Sequence, residues 1–369
     1  MMPETKIVRY AVVGLGWIAQ EAVLGAFRHS AHSQLAALVT GDAAKAADLG
    51  SAYKVPVYGY QNFDRLLSSG DIDAVYISLP NSMHAEYATR AAEAGINVLC
   101  EKPMAQTSLE CEQMIHAAEA SGASLMIAYR LHFEPANLKA IEVILSGAIG
   151  ESRTFSSSFS QNVKPGDIRL RAELGGGPLM DMSIYQINAV RYLFREEPEE
   201  VAAFATRPSN DSRFQEVDES VSAMLRFPGD RLAAFTTTFG GAPSDEWQLV
   251  GTEGALTLRH AFEYHDTKEL VTTTGEKESK QSFSKHDQFG AEIEYFSECI
   301  LAGRQPEPSG REGLADIRVI EALTRSIMEG KPISLPAYEV DARPTPDQEK
   351  KLPPVKAKKI VHAAAPTGG

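Results

Sequence analysis

Short apolar runs separated by amphipathic stretches dominate the first third of the chain: Val8 to Val13, Leu35 to Val39, Val55 to Tyr58, Ala74 to Leu79, Asn97 to Cys100 and Leu125 to Ala128. Runs this short, each followed by a helical pattern, predict strands of a parallel sheet covered on both faces by crossover helices. The helices have readable ends. Thr107 with Glu110 makes a capping box, Gly95 and Gly122 stand where helices stop, and Pro135 suits a first helical position. Near Ile149 and Gly150 the alternation ceases. Beyond it Val221, Ala223, Leu225 and Phe227 alternate with Ser222 and Arg226, the period of two that a half-buried strand requires. Pro228-Gly229-Asp230 then turns the chain into Leu232 to Phe239, which predicts a hairpin in a largely antiparallel sheet with one face packed. Helical patterns return over Gln288 to Leu301 and Gly313 to Met328. From Asp341 onward Pro344, Pro346, Pro353 and Pro354 mix with Lys350, Lys351, Lys356, Lys358 and Lys359, without periodicity, which predicts a flexible or wrapping arm.

Length and composition narrow the class. At 369 residues the chain exceeds the size at which one hydrophobic core stops growing, so two domains are expected. Hydrophobic residues at 43% and charged residues at 23% are ordinary globular usage and exclude a disordered chain. The formal net charge of -13 argues against a nucleic-acid partner, which draws on concentrated Lys and Arg. Cys100, Cys111 and Cys299 form no pair or cluster, so neither a disulfide framework nor a zinc site is expected, and a reducing compartment fits. Met1 to Arg9 carries no apolar signal core, and no apolar run approaches the roughly 18 to 20 residues that cross a bilayer. A cytoplasmic location without membrane partners is the expectation.

The sequence Gly14-Leu15-Gly16-Trp17-Ile18-Ala19 follows the first strand directly and opens a helix with apolar Ile18, Val23 and Phe27. Gly14 permits a tight turn, Gly16 lets the backbone approach a pyrophosphate, and Ala19 allows close helix-strand contact. The helix N-terminus offers free N–H groups to the anion. A ligand-free glycine turn has the same string; the strand-turn-helix setting is what points to a dinucleotide. The expected class is therefore α/β, with an N-terminal Rossmann domain over residues 1–130. A C-terminal α+β domain with a largely antiparallel open sheet follows over 131–336, then the Pro/Lys-rich tail over 337–369. An NAD-binding second strand usually ends in an acid; here it ends in Val39-Thr40-Gly41, and Asp42 suits the cap of the next helix. Thr40 and Lys45 suit a 2′-phosphate instead, so NADP is the expected cofactor.

Two further segments carry candidate chemistry. Glu101-Lys102-Pro103 ends a strand at the carboxyl edge of the parallel sheet, where open α/β sheets bind ligands, and Pro103 restricts the backbone of Lys102. Gly175-Gly176-Gly177-Pro178 starts a helix on which Asp181 and Tyr185, four apart, share a face. Read alone, Lys102 is equally a solvated loop lysine, and Tyr185 a core tyrosine.

At these residues the chain resembles the Gfo/Idh/MocA oxidoreductases, and within them the glucose-fructose oxidoreductase and aldose oxidoreductase branch. The resemblance runs to about Pro336 and rests on Gly14 to Ala19, Leu79 to Glu86, Glu101-Lys102-Pro103, Tyr129-Arg130, Arg169-Leu170-Arg171 and the Asp181/Tyr185 segment. Most of the family has histidine where Tyr185 stands and glycine where Ser183 stands; the tyrosine matches the sugar-oxidoreductase branch. The resemblance implies hydride transfer between the anomeric carbon of an aldose and NADP, with Lys102, Asp181 and Tyr185 catalytic. It implies a cofactor site formed by Gly14, Gly16, Trp17, Ile18, Ala19, Thr40, Gly41, Lys45, Leu79, Pro80, Asn81, His84, Glu101, Lys102, Arg130, Arg169, Arg171 and Tyr185, and no metal. A phenol is a poor base near neutral pH unless a neighbouring ammonium stabilises the phenolate, the part implied for Lys102. Asp181 would orient Lys102 or accept a sugar hydroxyl. Asn81, His84 and Arg130 would line the crevice, although His84 is equally a satisfied helix-start histidine. The implied cofactor is firmly held, with sugar-to-sugar transfer; a dehydrogenase with exchangeable cofactor and a non-catalytic regulator remain as alternatives. The open sheet face predicts a homodimer or homotetramer.

Overall fold

The computed structural model describes residues 6–368. Met1 to Thr5, the start of the segment read as lacking a signal core, lie outside the described residues. Six parallel strands form the first sheet: β1 (Val8–Val13), β2 (Ser33–Val39), β3 (Val57–Tyr58), β4 (Ala74–Ile77), β5 (Asn97–Glu101) and β6 (Leu125–Ala128). Their order is β3-β2-β1-β4-β5-β6, the doubly wound arrangement whose direction reverses between β1 and β4. Alternation sends Ala11 and Val13 of β1 into one apolar cluster and Val8, Tyr10 and Val12 into another, so both faces are dry. One face is covered by helices His84–Glu93 and Ser108–Ser121. The other takes a helix from far along the chain, Gln288–Ala302, which lies against β1, β2 and β5.

Nine strands form the second sheet: β7 (Ser152–Asn162), β8 (Glu200–Thr206), β9 (Ser220–Phe227), β10 (Arg231–Thr238), β11 (Gly240–Gly251), β12 (Gly254–Arg259), β13 (Lys268–Thr274), β14 (Lys277–Phe283) and β15 (Ile333–Ser334). The order is β14-β13-β12-β11-β7-β10-β9-β8-β15, antiparallel except where β7 lies parallel to β10. The hairpin expected at Pro228-Gly229-Asp230 joins β9 to β10, with Gly229 and Asp230 both in the left-handed region at φ 74° and 57°. One face packs on helices Pro135–Leu145 and Ile184–Phe194; the other leaves Phe204, Met224, Leu232 and Val250 in solvent. Helix Gly310–Glu329 starts three residues before its expected start, capped by Ser309, whose side chain accepts from Arg311 N.

The tail does not trail away. Gln348 Nε2 donates to Glu307, Val361 is buried against the first helix, and Pro366 O accepts from Lys164 N at 2.9 Å. It is the wrapping arm of the two forms expected, and it lies on its own chain. Among the described residues no helix is long and apolar enough to cross a membrane.

Candidate active site

A cleft of about 1650 Å³ runs from the glycine turn after β1, across the carboxyl edge of the parallel sheet, to the inner end of the second sheet. Pockets for small ligands are usually below ~1000 Å³, so this one has room for an extended ligand with a smaller one beside it. Gly14 has φ 90°, and a Cβ there would stand 2.5 Å from Ser78 O just past β4, so the turn that leaves β1 demands glycine. A Cβ on Gly16 would meet no protein atom within 4 Å, because its backbone faces the open cleft. The following helix begins with a wide π-type turn over Ala19–Val23, and Ala19 is fully buried against the sheet. Exposed backbone at a helix start, at the switch point of a doubly wound sheet, fits the pyrophosphate of a dinucleotide.

At one end of the cleft stand Thr40 and Lys45. Asp42 caps helix Ala43–Tyr53: its Oδ1 accepts from Ala44 N and Lys45 N at 2.9 and 3.0 Å, while its Oδ2 lies 3.0 Å from His362 Nδ1. Neither carboxylate oxygen is left without a partner. Gly41 is exposed beside Tyr60.

At the other end two cations, Lys102 and Arg130, stand against Tyr185, and a third, Arg169, holds Asp181. Lys102 Nζ donates to Asp181 O at 2.7 Å and Asp181 Oδ1 at 3.1 Å, and sits 4.5 Å from the centre of the Tyr185 ring. Arg130 Nη2 donates to the Tyr185 hydroxyl oxygen at 3.2 Å and to Phe262 O, while Nη1 donates to Gln288 Oε1. Arg169 Nε donates to Asp181 Oδ2 at 2.7 Å. Burial opposes charge on Lys102, yet Asp181, Tyr185 and Glu101 hold its pKa above the ordinary value. Burial alone would raise the Asp181 carboxyl; Arg169 and Lys102 instead hold it well below the usual range. Burial pushes Glu101 up, against the pull of Lys102 and Tyr76, whose hydroxyl donates to it at 2.8 Å.

Local sequence explains this convergence. Lys102 follows β5, and Arg130 follows β6 at the same sheet edge. The glycine run lets the next helix start close by: Cβ atoms on Gly175 and Gly176 would stand 2.7 Å from Asn81 Cβ and 2.3 Å from Arg169 O. Asn81 Nδ2 donates to Gly175 O, tying that run to the parallel sheet. Ser183, where glycine was expected from the resemblance, is buried and donates to Thr237 Oγ1 on β10. Phe159 meets the Tyr185 ring edge-on and fixes its plane.

Several expected residues stand differently. The ammonium of Lys102 lies over the ring of Tyr185 rather than at its hydroxyl, which is held by Arg130. His84 is fully buried with Nδ1 and Nε2 at 2.8 and 2.9 Å from Pro103 O and Leu79 O, so it braces the Lys102 loop and offers no free nitrogen to a ligand. Arg171 pairs with Glu173 and Glu216 outside the cleft. Trp17, Ile18, Leu79, Pro80, Asn81, Glu101 and Arg169 all line the cleft. Sequence reasoning missed Gln288, Tyr264 and Phe289, which surround Arg130, and the tail residues from His362 to Gly368 that border the cleft. Nothing local in the sequence points Gln288 back at Arg130, 158 residues away.

Comparison with known proteins agrees with this architecture. Residues 8–129 match the model of the oxidoreductase family with NAD-binding Rossmann fold, and residues 137–257 match the GFO/IDH/MocA C-terminal domain. The chain is 34% identical over 325 residues to the NADP(+) D-xylose 1-dehydrogenase of Haloarcula marismortui, covering 86% of this chain and 90% of that one. The crystal structure of aldose-aldose oxidoreductase from Caulobacter crescentus complexed with glycerol is 37% identical, with a TM-score of 0.86 over 89% of this chain and 100% of that one. A 3-ketoreductase from Actinomadura kijaniata in complex with NADP and TDP-benzene is 26% identical, with a TM-score of 0.80 over 87% and 98%.

Proposed function

Because the chain belongs to the GFO/IDH/MocA oxidoreductase family, we propose that it transfers a hydride between the anomeric carbon of an aldose and NADP. The observation that carries this reading is the meeting of Tyr185, Lys102 and Arg130 in the cleft that begins at Gly14. The relatives named as NADP-dependent or solved with NADP support the cofactor.

The backbone around Gly14 and Gly16 would hold the pyrophosphate, and Thr40 with Lys45 the 2′-phosphate. NADP, when bound, supplies the hydride acceptor for the sugar carbon. Tyr185 takes the proton of the anomeric hydroxyl during oxidation and returns it in reduction. Arg130 stabilises the phenolate oxygen directly, and the Lys102 ammonium stabilises the charged ring from above its face. Lys102 has three N–H donors and Asp181 engages two, so the third is available to the sugar oxygen. Asp181 and Arg169 hold Lys102 in place. The exposed apolar residues of the second sheet, Phe204, Met224, Leu232 and Val250, are the face we assign to a second copy of the chain; light scattering at micromolar concentration should report at least a dimer, and a monomer would contradict it.

The test is the near-ultraviolet absorbance of the purified chain with NADP as aldoses are added. Reduced nicotinamide should appear with some aldoses and disappear when an acceptor sugar follows. A chain that binds NADP but leaves it oxidised whichever aldose is added is the non-catalytic regulator instead.

A further inference from the structure

The tail from Val355 to Thr367 crosses the mouth of the cleft and is fixed at both ends. On the parallel-sheet side Val355 packs on Gly25, at 3.2 Å from a Cβ built there. Lys358 lies over the Tyr53 ring at 4.5 Å and donates to Ala52 O, and Lys359 pairs with Asp48 at 2.6 Å. The anchor is Val361: its side chain is buried in the core of the parallel-sheet half, while its N–H donates to Gln20 Oε1 at 2.7 Å and its C=O accepts from Gln20 Nε2 at 3.0 Å. On the far side Pro366 O accepts from Lys164 N, and Thr367 bridges to Val163 just past β7. Between these anchors, residues 362–368 border the same cleft as Gly14, Thr40 and Lys45.

One residue of this crossing has a specific partner. His362 Nδ1 stands 3.0 Å from Asp42 Oδ2, the carboxylate oxygen that the helix cap leaves over. An uncompensated carboxylate beside the ribose would accept its hydroxyl and repel a 2′-phosphate. His362 occupies that oxygen, on the residue three positions before Lys45.

We infer that residues 355–367 are a strap that closes over the bound dinucleotide and retains it between turnovers, and that His362, by occupying Asp42, is a specificity residue for the 2′-phosphate. This rests on the NADP reading above. The strap ties the two walls of the cleft together, so a ligand beneath it leaves only after the Gln20 and Lys164 bonds open. The strap's lysines dock it on an acidic protein, net charge -13 over the whole chain, with Lys359 directly on Asp48.

The test compares the full chain with a chain ending at Leu352, and with Val361→Asp, which places a charge in the anchor pocket without shortening the chain. Each is loaded with NADP, passed through gel filtration and chased with excess unlabelled cofactor. Release should be about tenfold to a hundredfold faster from both variants than from the full chain, and bound NADP should protect the Lys356 to Lys359 segment of the full chain from trypsin. His362→Ala should lower NADP affinity relative to NAD by about tenfold. Release at the native rate from both variants overturns the strap, and equal changes for the two cofactors in His362→Ala overturn the specificity role. If these results come from variants that still reduce NADP with aldoses, the proposed reaction stands without the strap; if the full chain binds no NADP, both fail.

Discussion

Two buried clusters of cations and carboxylates, one toward each end of helix Ile184–Phe194, separate architecture from chemistry. In the first, Arg191 has no exposure, and its five N–H donors make five bonds to Glu197, Glu312 and Asp316. In the second, Lys102 keeps 11% of its side chain exposed and engages two of three donors, both on Asp181. The closed cluster has more carboxyl groups than it can hold ionised: burial, with Glu312 beside it, pushes Asp316 up to about 6 despite Arg191. The open cluster keeps Asp181 ionised between Arg169 and Lys102 and turns the remaining donor toward the cleft. A buried charge with every partner present locks elements together; one with a donor left over, at a cavity wall, can act on a ligand.

The largest expected effect falls on the open cluster. Lys102→Ala should lose a factor on the order of 100 to 10,000 in turnover with its melting temperature little changed. Lys102→Ala with Tyr185→Phe should be little worse than the worse single variant, because the two act as a unit. Additive losses in steady-state kinetics would show that they act separately.

Arg191→Met inverts the readouts. Removing the cation that joins Glu197, Glu312 and Asp316 leaves the buried carboxyls of Glu312 and Asp316 without it, while Glu197 keeps Arg343, and should cost about 3 to 5 kcal/mol of stability in urea unfolding. The chain that folds should turn over at a near-native rate. A stable Arg191→Met protein with impaired turnover would erase the distinction between the clusters.

The difference between these clusters also marks how far the sequence is legible. The parallel sheet is, because each of its strands is a local apolar run, and Gly14 sits where β1 must turn. The second sheet is legible at β9 and β10, which a three-residue turn joins, but not where β7 pairs in parallel with β10, from Thr154↔Leu232 to Ser160↔Thr238. No local pattern encodes so distant a partner. Lys102 and Tyr185 stand out through their glycine and proline surroundings, whereas the bond from Arg130 to the Tyr185 hydroxyl depends on three elements meeting. The tail is legible as a flexible or wrapping arm, but its path is not, since its anchor is a single valine, Val361, received by the side chain of Gln20.

A smaller effect belongs to the far end of the cleft. Lys45→Ala should weaken NADP binding by about tenfold or more and NAD binding little, because only NADP presents a phosphate there. Equal losses for both, measured by titration, would remove Lys45 from the phosphate site.

The smallest effect concerns Asp316. Its folded pKa, about 6 against 3.8, is raised, so the folded state holds this proton more tightly. The stability it contributes is fully present below about pH 4 and is lost as pH rises through about 6. Asp316→Asn should flatten the melting temperature against pH in that window. An unchanged slope would mean that the proton resides elsewhere in the cluster.

The central claim is that Tyr185 moves the sugar hydroxyl proton, and single-turnover absorbance of the NADP-loaded protein after adding an aldose tests it most directly. Tyr185→Phe should keep the fold and the bound NADP and reduce it more slowly by a factor on the order of 100 to 10,000. Reduction at a near-native rate with NADP bound would show that Tyr185 is a packing residue beneath Lys102, and that the base is a different group of the cleft.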